Sequence, residues 1–123
     1  MSAPKPLGHY SQAVRAGDLL FLSGQISIDP AKNEILLFNG DVAKQTELVL
    51  ENIAAILAEH RLTKESVVKA SIFLKNISEF SKVNEIYAQF FGLHKPARTT
   101  VEVSNLPKGV AVEIEAVARF NLP

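Results

Sequence analysis

Between residues 110 and 120 the chain alternates: Val110, Val112, Ile114, Ala116 and Ala118 fall on one face of an extended strand, and Glu113, Glu115 and Arg119 on the other. A strand with one apolar face needs a covering layer, and two segments can supply it. From Asp41 to about Arg61, the residues Val42, Val49, Ile53, Ile56 and Leu57 share a helical face, with Lys44, Glu47, Glu51 and Glu59 largely elsewhere. Asp41 is placed to accept from the open N–H groups of that helix's first turn. A second helix is predicted from Ser78, a capping residue type, with Phe80, Val83, Tyr87, Phe90 and Phe91 as its apolar face. Gly92 is placed to end it in an αL conformation.

Strands fill the rest. Ala13 to Arg15 and Leu19 to Ile26 flank the turn Ala16-Gly17-Asp18 and predict a hairpin. Glu34 to Phe38, between the breakers Asp29-Pro30 and Asn39-Gly40, predicts a short third strand. The β-branched run Val67 to Leu74 and the alternating segment Arg98 to Val103 predict two more. The order β-β-β-α-β-α-β-β implies an α+β domain, a six-stranded mixed sheet with two helices on one face. The other sheet face carries the polar residues and must meet water or a partner.

One domain is expected, since 123 residues suffice for one core and no linker or repeat divides the chain. Lys plus Arg balance Asp plus Glu at 13 each, without a basic cluster, so nucleic acid is not the expected partner. Met1 to Tyr10 lacks the apolar core of a secretion signal and no apolar run is long enough to span a bilayer, so a cytoplasmic location and no membrane partner are expected. The absence of cysteine excludes disulfides, Cys-ligated zinc and thiol nucleophiles. His9, His60 and His94 show no metal-ligand spacing, and His60 falls where a helix C-terminus favours it, so neither metal nor cofactor is expected.

Three polar features stand where packing alone does not ask for them. Ser23-Gly24-Gln25 ends an apolar run, Arg98 begins a strand just after Pro96, and Glu113 lies inside the last strand. Each has a bland reading: strand-end turn residues, a solvated arginine, half of a cross-strand ion pair.

Taken in order, the blocks Gly8-His9-Tyr10-Ser11-Gln12-Ala13-Val14, Leu22-Ser23-Gly24-Gln25-Ile26, Val83-Asn84-Glu85-Ile86-Tyr87, Pro96-Ala97-Arg98-Thr99-Thr100-Val101, Leu106-Pro107-Lys108 and Val112-Glu113-Ile114-Glu115-Ala116 resemble the Rid (YjgF-type) family over nearly the whole chain. The resemblance implies a bacillus-type chorismate-mutase-like subunit assembled as a homotrimer, with sites in the clefts between subunits. It implies hydrolysis of reactive 2-imino or 2-enamino acids, such as 2-aminoacrylate, to 2-keto acids and ammonia, as in 2-iminobutanoate/2-iminopropanoate deaminases. Arg98 matches the arginine that binds the substrate carboxylate, for which a planar donor fork suits better than a lysine. Glu113 matches the first glutamate of the family's Glu-Ile-Glu-Ala block and is the candidate to position the attacking water and move its protons.

Ser23 and Gly24 match the segment that meets the ligand's polar end, with Gly24 allowing close approach. Tyr10 and Thr100 are expected in the same cleft, and Asn84 is a further candidate for substrate binding, with bonding to neighbouring backbone as its favoured alternative. The aromatic stripe of the second helix is read as core. This chain departs from the family pattern at His9, where many members have proline, and at Thr100, where some have cysteine. Two rival functions remain: a binding module for small carboxylates, and a ribonuclease or translation inhibitor.

Overall fold

The computed structural model describes residues 2–120. Five strands form the main sheet in the order β1-β2-β7-β5-β6: β1 (Ala13–Ala16), β2 (Leu19–Gln25), β5 (Val67–Leu74), β6 (Ala97–Glu102) and β7 (Val112–Arg119). All neighbours are antiparallel except β5 and β6. Those two are joined through α2 (Phe80–Phe91), because parallel strands need a crossover. The other helix, α1 (Val42–Glu59), follows the Asp41 cap, whose carboxylate accepts from the Lys44 N–H at 3.1 Å.

The predicted third strand does not join this sheet. Glu34–Ile35 (β4) pairs with Ile28–Asp29 (β3) in a separate two-stranded ribbon, so the six-stranded sheet is corrected to five strands plus a ribbon. Its turn requires a left-handed Asn33 (φ 56°), and Phe38, Asn39 and Gly40 all take positive φ, which ends extended pairing before α1. Asn52 of α1 donates to the Ile28 carbonyl at 2.8 Å and Ser27 to the Leu36 carbonyl at 2.8 Å, tying the ribbon to the body.

The second helix also begins differently. Asn76, not Ser78, caps the turn that precedes it: its side chain accepts from the Ser78 N–H at 3.0 Å and from the Ser78 hydroxyl at 2.7 Å. Gly92 ends the helix with positive φ (62°) but ψ of −123°, outside the αL region expected for it.

Side-chain parity decides what each strand offers. Leu20, Leu22, Ala70, Ile72, Leu74, Val112, Ile114, Ala116 and Ala118 face the helices and pack with Val49, Ile53, Leu57, Val83 and Phe91 in one core. The opposite face holds Phe21, Ser71, Phe73, Val101, Glu115 and Val117 by the same alternation. It is less polar than the sequence suggests, with Phe21 45% and Val101 39% exposed. No helix is long and apolar enough to cross a membrane among the described residues.

Candidate active site

Glu113 sits on the open face of β7. Its register partner on β5 is Phe73, so no opposite charge faces it there and the cross-strand ion-pair reading fails. On the other side β2 breaks register between Leu22 and Gln25, and the bulge puts Gly24 against the Glu113 side chain. Burial, and then the negative charge of Glu115, hold the Glu113 carboxyl above its ordinary value.

The surrounding cleft, about 510 Å³, is also lined by Tyr10, Ser23, Gly24, Gln12 and Lys108. That volume suits a small metabolite. Ser23 donates its N–H to the Gln12 carbonyl at 2.9 Å and its hydroxyl to the Ser11 carbonyl at 2.6 Å. Toward a ligand its hydroxyl oxygen therefore presents lone pairs rather than a proton. Gln25, almost fully buried, braces the wall by donating to the Gln12 side chain at 2.8 Å and to the Ser23 carbonyl at 3.0 Å. The Tyr10 hydroxyl accepts from the Leu7 N–H at 3.1 Å, which folds the N-terminal segment over the cleft mouth. Leu7, Gln12 and Lys108 were not singled out from the sequence as site residues. For Lys108 the signal was its place between Pro107 and Gly109, in a turn that requires a left-handed backbone (φ 59°).

Arg98 lies elsewhere. It pairs with Ala70 on the edge strand β6 and shares the helix-facing parity of Ala70, so it points to the side of the sheet opposite Glu113. Its guanidinium donates to the Asn84 side-chain carbonyl at 2.7 Å, so Asn84 bonds Arg98 and not neighbouring backbone. It stands 4.9 Å from the Tyr87 ring centroid and 5.3 Å from that of Phe80. Tyr87 is only 6% exposed; burial raises its hydroxyl pKa against the opposing charge of Arg98, and the hydroxyl has no hydrogen-bond partner. A cleft of about 390 Å³ opens beside Asn84, Tyr87, Lys95 and Arg98. Thr100 lines a neighbouring depression with Ile77, Phe80 and Arg98, so within one chain it does not share the cleft of Tyr10.

The expected site residues thus form two groups: Tyr10, Ser23, Gly24 and Glu113 on one face, and Asn84, Arg98 and Thr100 at the edge of the other. Two strand spacings, roughly 10 Å, separate β6 from β7 across β5, in addition to the change of face. Among the described residues no cluster of three His, Cys, Asp or Glu side chains could hold a metal ion.

An α+β sheet with two covering helices, an anionic cleft on the open face and an arginine on the edge strand β6 beside α2 define the class. The chain belongs to the family described as Endoribonuclease L-PSP, the YjgF/RutC/Rid family, whose model matches residues 1–120. It is 53% identical over 117 residues to a RutC family protein of Pyrococcus horikoshii, covering 95% of this chain and 91% of that one. The fold superposes with a TM-score of 0.91 on a Yersinia pestis member of the conserved Rid protein family, at 47% identity, covering 96% of this chain and 93% of that one. It superposes with 0.87 on Escherichia coli TdcF with bound serine, at 40% identity, covering 95% and 92% of the two chains.

Proposed function

We propose that the protein is a cofactor-free hydrolase of reactive 2-imino and 2-enamino acids, acting as a homotrimer with sites between subunits. The observation that carries this reading is the division of opposite charge between two separate half-sites. The open-face cleft sets two carboxylates, Glu113 and Glu115, and the Ser23 hydroxyl oxygen against the single amine of Lys108, whereas the edge offers the guanidinium of Arg98. A 2-iminium carboxylate carries both complementary charges on adjacent carbons, too close together to reach both halves within one chain. One subunit's Arg98 beside another's Glu113 resolves this, and the partly apolar open sheet face supports association of copies. The serine bound to TdcF supports a small 2-amino or 2-imino acid as ligand class.

In this mechanism Arg98 grips the carboxylate and anchors the substrate in the shared site. Glu113 takes a proton from water as its oxygen attacks the iminium carbon, and gives that proton to the nitrogen of the resulting carbinolamine. Glu113 then accepts the hydroxyl proton while the C–N bond breaks, and the departing ammonia carries that proton away as ammonium. The products are the 2-keto acid and ammonium, with no redox change. A carboxyl held above its ordinary pKa suits both accepting and returning a proton.

The test supplies a defined imine from an amino acid and an amino-acid oxidase and measures keto-acid release with substoichiometric protein. Accelerated release with multiple turnovers is expected. Release that stops at one equivalent would leave a carboxylate-binding module instead. The family's description favours RNA cleavage as a second reading. The balanced charge and a cleft with two carboxylates against one lysine suit phosphates poorly. RNA degradation that Glu113→Gln abolishes, without imine hydrolysis, would reverse the order of the two readings.

A further inference from the structure

Phe80, Asn84 and Tyr87 stand at i, i+4 and i+7 on α2 and form one stripe, along which the Arg98 guanidinium lies. Arg98 itself is exposed and sits on an edge strand, where a long side chain has many rotamers open to it. The Asn84 carbonyl takes one N–H at 2.7 Å, which restricts rotation and leaves the guanidinium's other donors available. The two rings restrict the rest. A cation is attracted to a ring face, and two rings approached from one stripe leave the guanidinium plane little freedom.

We infer that Phe80 and Tyr87 are positioning residues that hold Arg98 in the orientation in which its free edge meets the substrate carboxylate. The inference rests on the carboxylate-binding role proposed for Arg98, and it gives the aromatic stripe a task beyond filling the core. The Tyr87 hydroxyl is buried and without a partner, so the ring, not the hydroxyl, carries the effect. The carboxylate is not the reacting centre, so its grip counts alike in the ground and transition states and should appear in KM rather than kcat.

The experiment compares Tyr87→Phe, Tyr87→Leu and Phe80→Leu in the full chain by steady-state imine hydrolysis and by the NMR exchange rate of the Arg98 Nε–H. Tyr87→Leu should raise KM on the order of tenfold with kcat within about twofold, and Tyr87→Phe should restore both. In Tyr87→Leu the Arg98 Nε–H should exchange faster with water than in the parent. Phe80 is only partly buried, so Phe80→Leu keeps the test open should Tyr87→Leu fail to fold; it should raise KM in the same direction. An unchanged KM in both leucine variants, or a Tyr87→Phe variant as impaired as Tyr87→Leu, would overturn the inference. If the parent shows no hydrolysis, the proposed function fails separately, and the Nε–H exchange rates alone decide whether the rings hold Arg98.

Discussion

The Glu113 carboxylate occupies the space that a side chain at residue 24 would need: a Cβ there would lie 2.9 Å from the Glu113 carboxyl carbon and closer still to one oxygen. The obstructed group is the end of a flexible side chain, so Gly24→Ala can fold by displacing it. The expected result is a melting temperature close to that of the parent with kcat/KM lower by roughly a hundredfold, since misplacing a catalytic group by about an ångström has that scale of effect. Equal activity in the alanine variant would show that Glu113 does not act from this position.

Arg98 and Glu113 should fail in different ways. Arg98→Lys keeps the charge but loses the planar fork and the bond geometry to Asn84, so kcat/KM should fall by about two orders of magnitude. Glu113→Gln keeps size and polarity but accepts no proton, so kcat should fall by roughly 10² to 10⁴ while calorimetry still records keto-acid binding. Near-parental activity of Arg98→Lys would return that residue to the role of a solvated strand-end arginine.

Complementation tests the division of the site. Arg98→Ala and Glu113→Gln chains, each inactive alone, should regain activity when unfolded together and refolded. Every mixed trimer then holds about one intact site in three. No recovery, with trimers confirmed by sedimentation, would mean that both residues serve from the same chain; a monomer at micromolar concentration would remove the shared site altogether.

The raised pKa of Glu113 makes two pH predictions. As a base Glu113 must be ionised, so the acidic limb of kcat/KM should lie above the ordinary carboxylate range. Glu115→Gln should shift it down, because the Glu115 charge is the second cause of the rise after burial. For stability, the native state keeps this proton at pH values where the unfolded chain has released it. The cost of ionising Glu113 is therefore absent below the unfolded value, grows between the two values and is complete above the native one. Glu113→Gln should thus raise the melting temperature at neutral pH and lose that advantage in acid. A limb that does not move in Glu115→Gln would detach Glu113 from the activity profile.

Much of the frame was legible along the chain because its signals are local. The alternation from Val112 to Ala118 and the apolar face of α1 with its Asp41 cap depend on residues a few positions apart, and both elements form where those patterns lie. The family blocks likewise pointed to Arg98, Glu113, Ser23 and Gly24, which the fold places in or beside clefts. Signals that depend on competition between segments misled. Glu34–Ile35 is extended as expected, yet it pairs with β3 because three successive positive-φ residues turn the chain into α1 before it can reach the sheet.

Pairing between distant strands decided the rest. Arg98 and Glu113 each look like a polar residue on a strand, and alternation within one strand cannot reveal which face it shares with another. Only the registers Arg98 with Ala70 and Glu113 with Phe73 put the two on opposite faces of one sheet. The crossover through α2 likewise brings Phe80, Asn84 and Tyr87 against an arginine 11 to 18 positions further along. Periodicity and capping act over a few residues, so the elements and the chemical groups on them can be read along the chain. Register and crossover are set by packing between segments far apart in the chain, so which of those groups meet follows only from the folded arrangement.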